Sequence, residues 1–79
     1  MDEEDRAELD RLQRGYKAAV DTWVAAIRAE QALASVNHTV AEVDLWEHAH
    51  SEAEDLRGKA DMAKAAYEDA LRARFFGIR

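Results

Sequence analysis

The residues best suited to chemistry are a short run of acids and histidines, Glu47-His48-Ala49-His50, together with Glu30 earlier in the chain. In a helix Glu47 and His50 lie one turn apart. A carboxylate and an imidazole at this spacing, with a carboxylate from a facing helix, form half of the ligand set of di-iron and di-manganese carboxylate proteins. A second copy of the chain would double this half-site. One alternative is therefore a ferritin-like, metal-binding four-helix dimer that uses Glu30, Glu47 and His50.

The helical phase of this segment argues against a buried metal site. At about 100° per residue, Glu47 points roughly 160° and His50 roughly 100° away from the apolar stripe of their helix, so we expect Glu47 to face water. Glu30 lies within the apolar stripe of the first helix, where we expect it to reach water, the Trp46 indole or His50. Surface binding of zinc or nickel between residues 44 and 54 is a further alternative. Another is a pH-sensitive tip, because imidazole changes charge between about pH 5 and 8.

Little else in the sequence supports catalysis. The three glycines are too far apart for a phosphate-binding loop, and the chain has no cysteine. Ser35 and Ser51 are not set beside a base in any triad arrangement. We therefore expect a protein that is not an enzyme and that uses no cofactor.

The charge is acidic and unevenly distributed. The net charge is −6, whereas nucleic-acid binding requires cations clustered along one face, so we expect no nucleic-acid partner. Residues 21–56 contain eight acids and one cation, which gives −7; the other residues contain ten cations and nine acids, which gives +1. His38, His48 and His50 all lie in the acidic half, which includes the predicted turn.

The sequence contains no segment typical of a membrane span. Its longest uncharged run, residues 31–41, is polar and too short. The absence of cysteine is compatible with a reducing compartment. We expect a soluble, cytoplasmic protein without a membrane partner.

Two amphipathic helices and a turn must position these residues. Thr39 and Glu42 have the spacing of a capping box, which predicts a helix that begins at residue 40. Apolar residues recur at helical spacing on both sides of the turn. The pattern predicts an all-α fold, an antiparallel two-helix hairpin that forms one domain over residues 1–79. The helices are predicted at about 3–34 and 40–76, with the turn at about 35–39.

The packing between the helices follows from the position of the turn. For a turn centred near residue 38, Tyr16 faces Ala60 and Trp23 faces Ala53. Bulky residues of the first helix then fall opposite alanines of the second, as close antiparallel packing requires.

The three glycines have different expected roles. Gly77 suits the left-handed position after the second helix. Gly15 and Gly58 interrupt the helices, and we expect a local close contact or a slight bend at each.

A single hairpin of this composition has little to bury, since 17 of its 79 residues are alanine. We therefore predict that it associates with a second copy as a homodimeric four-helix bundle. The expected function is that of a small non-enzymatic interaction or assembly module, with a further protein partner at the apolar C-terminus as an alternative. The predicted interface residues are the large apolar side chains Tyr16, Trp23, Trp46, Tyr67, Phe75, Phe76 and Ile78.

Overall fold

The fold is an antiparallel hairpin of two long helices. A computed structural model describes residues 2–34 and 39–77. Helix α1 spans Glu3–Ala32 and helix α2 spans Val40–Phe75, and these described residues contain no strand. The two helices pack along one another in a rod with Cα extents of 57 × 20 × 13 Å. The prediction of an all-α helical hairpin is confirmed; α1 ends two residues and α2 one residue before the predicted positions.

Both helices begin with a side-chain cap. The backbone N–H of Asp5 donates to Asp2 Oδ1 at 2.9 Å at the start of α1. At the start of α2, the Glu42 N–H donates to Thr39 Oγ1 at 3.2 Å, and the Thr39 N–H donates to Glu42 Oε2 at 3.5 Å. The predicted capping box is therefore confirmed. Each of these caps satisfies N–H groups that have no partner within the helix.

Helix α2 ends as its glycine predicts. The Phe76 N–H donates to the Arg72 carbonyl at 2.9 Å, and Gly77 has a φ of +65°. This left-handed conformation strains residues with a Cβ, which explains a glycine there.

The other two glycines are not sites of close approach. A Cβ built at Gly15 or Gly58 would meet no atom within 4 Å, and both residues are exposed. The expected close contact is therefore wrong, because both positions point away from the facing helix.

The seam between the helices is narrow and lined by alanine. Within the described ranges, the buried side chains are Leu9, Ala53, Ala60 and Ala70. Large residues of α1 such as Trp23 are only half-buried. Alanines let the helix backbones approach closely, but each contributes little apolar area.

The register of the two helices differs from the prediction. The prediction placed Tyr16 opposite Ala60, whereas in the structure its ring stacks on that of Tyr67, with the ring centroids 6.4 Å apart. Near the other end of α1, Glu30 contacts His50. These partners lie one to two turns further along α2 than predicted. The prediction assumed that the helices end level, whereas Glu30 is in the last turn of α1 and His50 is already in the third turn of α2. The first two turns of α2, residues 40–47, consequently extend beyond the end of α1; we call them the projecting segment.

Neither helix, within the residues described, has the combination of length and apolar character needed to cross a membrane.

Candidate functional site

The first candidate site lies where α1 ends beside α2. His50 Nδ1 and Glu30 Oε1 are 2.9 Å apart, and the Trp46 indole stacks on the His50 imidazole at 5.4 Å with 8° between the planes. The Glu30 side chain is 18% exposed and that of His50 is 50% exposed. With the carboxylate as acceptor, Nδ1 carries the proton and Nε2 is the free ring nitrogen. The expectation that Glu30 reaches His50 is met by this contact.

An imidazole held in this way has the orientation that metal-binding histidines adopt, with one N–H donated to a carboxylate and the other nitrogen available. Even so, no group of three His, Cys, Asp or Glu side chains is placed to hold a metal ion among residues 2–34 and 39–77. The structure thus brings together two of the three predicted metal ligands, Glu30 and His50. Glu47, the third, lies at an exposed position and does not complete a set of three with them.

The projecting segment carries a concentration of exposed apolar side chains. Val40, Val43, Leu45 and Trp46 are 79%, 43%, 57% and 39% exposed. Leu45 begins a row along α2 that continues through Glu52, Lys59 and Ala66, all of them exposed beside the seam. Helix α1 has already ended at this level, and 57% of Leu45 is exposed.

At the opposite, open end of the hairpin, Arg74 joins the two helices. Its Nε donates to Asp5 Oδ1 at 3.0 Å, and its Nη2 donates to Glu8 Oε2. The Arg74 side chain is only 19% exposed. Sequence analysis did not identify this pair, although Arg74 lies two turns after Tyr67 on the apolar stripe, which is the signal that could have revealed it.

Beside this ion pair lies a groove of about 590 Å³ between the start of α1 and the end of α2. Four apolar residues contribute to its lining, together with charged side chains that include Glu8 and Arg74. The apolar lining residues are Leu12, Ala66, Ala70 and Ala73. We call this feature the open-end groove.

The predicted interface residues are distributed along the rod rather than gathered in one patch. Tyr16 and Tyr67 stack on one another across the hairpin and are half-buried, as is Trp23. Trp46 belongs to the projecting segment. Phe75 and Phe76 are 60% and 72% exposed at the open end, and Ile78 lies outside the described residues.

Comparison with known proteins does not assign the chain to a family. No family model, curated protein or solved structure matches it. Its function is therefore inferred from its own geometry and chemistry.

Proposed function

We propose that this chain is a small non-enzymatic assembly module that acts as a homodimer, in which two hairpins pack as a four-helix bundle. The observation that carries the proposal is the small core of the single hairpin. Four side chains of the described residues are buried, and three of them are alanine. Burying a large apolar side chain contributes about 1.5–3 kcal/mol and a methyl group much less, so a second hairpin would supply what the first lacks.

The accessible surface of the hairpin supports this proposal. The chain exposes 6120 Å², whereas a compact monomer of 8.9 kDa exposes about 4,800 Å². Its radius of gyration is 17.7 Å, against about 12 Å for a compact domain of this length. The elongated hairpin therefore has more uncovered surface than a self-sufficient domain of its size.

The area available also suits a stable dimer. A compact particle of twice the mass exposes about 8,000 Å². Because a bundle of rods 57 Å long stays elongated, two such hairpins bury at most about 4,200 Å² in total. Permanent interfaces typically bury about 2,000–5,000 Å². The estimate thus falls within the range of an obligate dimer.

Thermal unfolding measured over a range of protein concentrations tests this function. Because dissociation accompanies unfolding of an obligate dimer, its Tm rises with protein concentration. We expect the Tm from circular dichroism to increase steadily from about 1 μM to about 100 μM chain. A Tm that is independent of concentration across this range would contradict the proposal.

A second candidate function is metal binding, and the contact between Glu30 and His50 favours it. In that case Zn²⁺ or Mn²⁺ would stabilise the folded protein, by about 2.7 kcal/mol at a hundred times its Kd. The His50→Gln variant should lose this stabilisation, whereas His48→Gln should keep it. A Tm that no divalent metal changes would remove this candidate and leave the assembly module.

A further protein contact through the C-terminus is supported by the exposure of Phe75 and Phe76. Their substitution by serine should leave the dimer mass unchanged if these rings serve another partner.

A further inference from the structure

We propose that the two copies associate antiparallel, and that the open-end groove of each copy receives Leu45 from the projecting segment of the other. This inference rests on the homodimer proposed above and specifies its orientation and its contact. The two features it joins are an exposed leucine at one end of the hairpin and the apolar-lined groove at the other.

Charge complementarity determines the orientation. The half of the chain that contains the turn carries −7 and the open-end half carries +1. A parallel dimer would place the two halves of net charge −7 side by side. An antiparallel dimer places each half of net charge −7 beside a half of net charge +1. Like charges brought together across an interface oppose association, so the antiparallel arrangement is favoured.

The lengths along the rod agree with this contact. Helix α2 has 36 residues, about 54 Å of helix, which is nearly the whole 57 Å length of the molecule. A twofold axis through the middle of α2 passes between residues 57 and 58. Leu45 and Ala70 then lie equally far from the axis, about 19 Å in opposite directions. In an antiparallel dimer Leu45 of one copy is therefore level with Ala70 of the other, within the open-end groove.

Leu45 and the groove also lie on the same side of α2. At about 100° per residue, Leu45, Ala66, Ala70 and Ala73 fall within a sector of roughly 80° around the helix. Glu52 and Lys59, near the middle of α2, fall in the same sector and are exposed, so a second copy can pack there. A twofold axis perpendicular to that side turns the leucine of one copy towards the groove of the other. One interface can thus contain both contacts that symmetry requires.

The chemistry of the two surfaces is complementary. Leu45 is 57% exposed and would pack on the apolar lining of the groove. The charged lining residues of the groove, Glu8, Asp69, Arg72 and Arg74, comprise two acids and two cations, so the contact depends on the apolar lining. The Arg74–Glu8 ion pair holds the helices together beside the groove, so the groove exists before the second copy arrives.

Spin-label distances test the orientation. The chain has no cysteine, so Ala41→Cys introduces a single label near the start of α2, and Gly58→Cys introduces one near its middle. An antiparallel dimer predicts a distance between the two labels at position 41 of about 50 Å, and one at position 58 below about 30 Å. A distance below about 30 Å at position 41 as well would overturn the antiparallel arrangement but leave the dimer intact. If neither position gives a dipolar signal, the homodimer itself is wrong.

A pair of neighbouring alanines tests the groove. Ala66 and Ala65 are both exposed residues of α2, but only Ala66 is part of the groove lining. Ala66→Glu places a charge where Leu45 would be buried, and we expect it to raise the dimer Kd by at least about 100-fold in sedimentation equilibrium. Ala65→Glu changes the net charge equally and should alter the Kd by less than about threefold. Circular dichroism checks that both variants remain helical. If the wild-type protein is a dimer and both substitutions change its Kd equally, the groove contact is wrong. If the wild-type protein is a monomer, the dimer is wrong as well.

Discussion

At the scale of single residues, Thr39 and Arg74 stabilise opposite ends of the hairpin by different means. Thr39 acts locally, since it caps the helix that begins at the next residue. Arg74 acts across the hairpin, since its carboxylate partners belong to the first two turns of α1. One fixes where α2 begins, and the other joins its end to the start of α1.

Removing the capping hydroxyl should destabilise the folded protein. We expect Thr39→Ala to lower the free energy of unfolding by about 1 kcal/mol, because the Glu42 N–H loses its acceptor. Thr22→Ala is the matched control. The Thr22 hydroxyl donates to the Ala18 carbonyl on an exposed helix surface, and alanine is the better helix former. Chemical denaturation at one fixed protein concentration measures both, and an equal loss in the two variants would contradict a role for the cap.

Removing the cross-helix arginine should also destabilise the hairpin. We expect Arg74→Ala to lower the free energy of unfolding by about 1 kcal/mol, because two half-exposed ion pairs between the helices are lost together. Arg72→Ala removes an arginine whose ion pairs lie within α2, with Glu68 and Asp69. We expect its effect to be at most about half as large. Urea unfolding of the two variants, again at one concentration, should rank them in that order, and the reverse order would show that Arg74 does not link the helices.

At the scale of the helices, the alanines of α2 determine how closely α1 can approach. Ala53 and Ala60 are each 3% exposed, so their methyl groups are almost completely covered in the seam. The rings of Tyr16 and Tyr67 stack on one another across the seam. The width of the seam is therefore set by the smallest residues in it.

Enlarging a seam alanine should push the helices apart. We expect Ala60→Leu to lower the free energy of unfolding by about 1–3 kcal/mol, because the added atoms have no space between the helices. Ala65→Leu makes the same change at an exposed position of the same helix and should change stability by less than about 0.5 kcal/mol. Thermal and chemical unfolding compare the two. A stabilised Ala60→Leu protein would mean that the seam contains space that the structure does not show.

Local signals in the sequence predicted the helices well. The capping box of Thr39 and Glu42 and the glycine at position 77 depend on neighbouring residues alone, and both are present as expected. The register was predicted less well because it depends on how the two helices pack and not on local spacing. The projecting segment follows from that register and could not be found without it.

The candidate sites also differ in whether local sequence signals could predict them. The proximity of Glu30 and His50 could be predicted, since both lie within a few turns of the predicted turn. The Arg74 pairs could not be assigned from spacing, because a long guanidinium side chain on the stripe can reach several acids near the start of α1. The open-end groove is formed by two helix ends and has no sequence signature. Partners, metal binding and cytoplasmic location remain predictions.

At the scale of the whole molecule, the hairpin is long, narrow and asymmetric in charge. Among the described residues, six of the eight exposed large apolar side chains lie near the two ends of α2, and the other two, Val24 and Met62, lie between them. An antiparallel dimer brings opposite ends together and covers part of both. The surplus surface, the small core and the charge distribution then have one common explanation.

Sedimentation equilibrium of the unmodified chain at micromolar concentration tests the central claim most directly. The homodimer predicts a mass of twice the 8.9 kDa of one chain, with a helical circular dichroism spectrum at the same concentration. A species of 8.9 kDa that remains fully helical would show that one hairpin is stable alone, and would contradict the account.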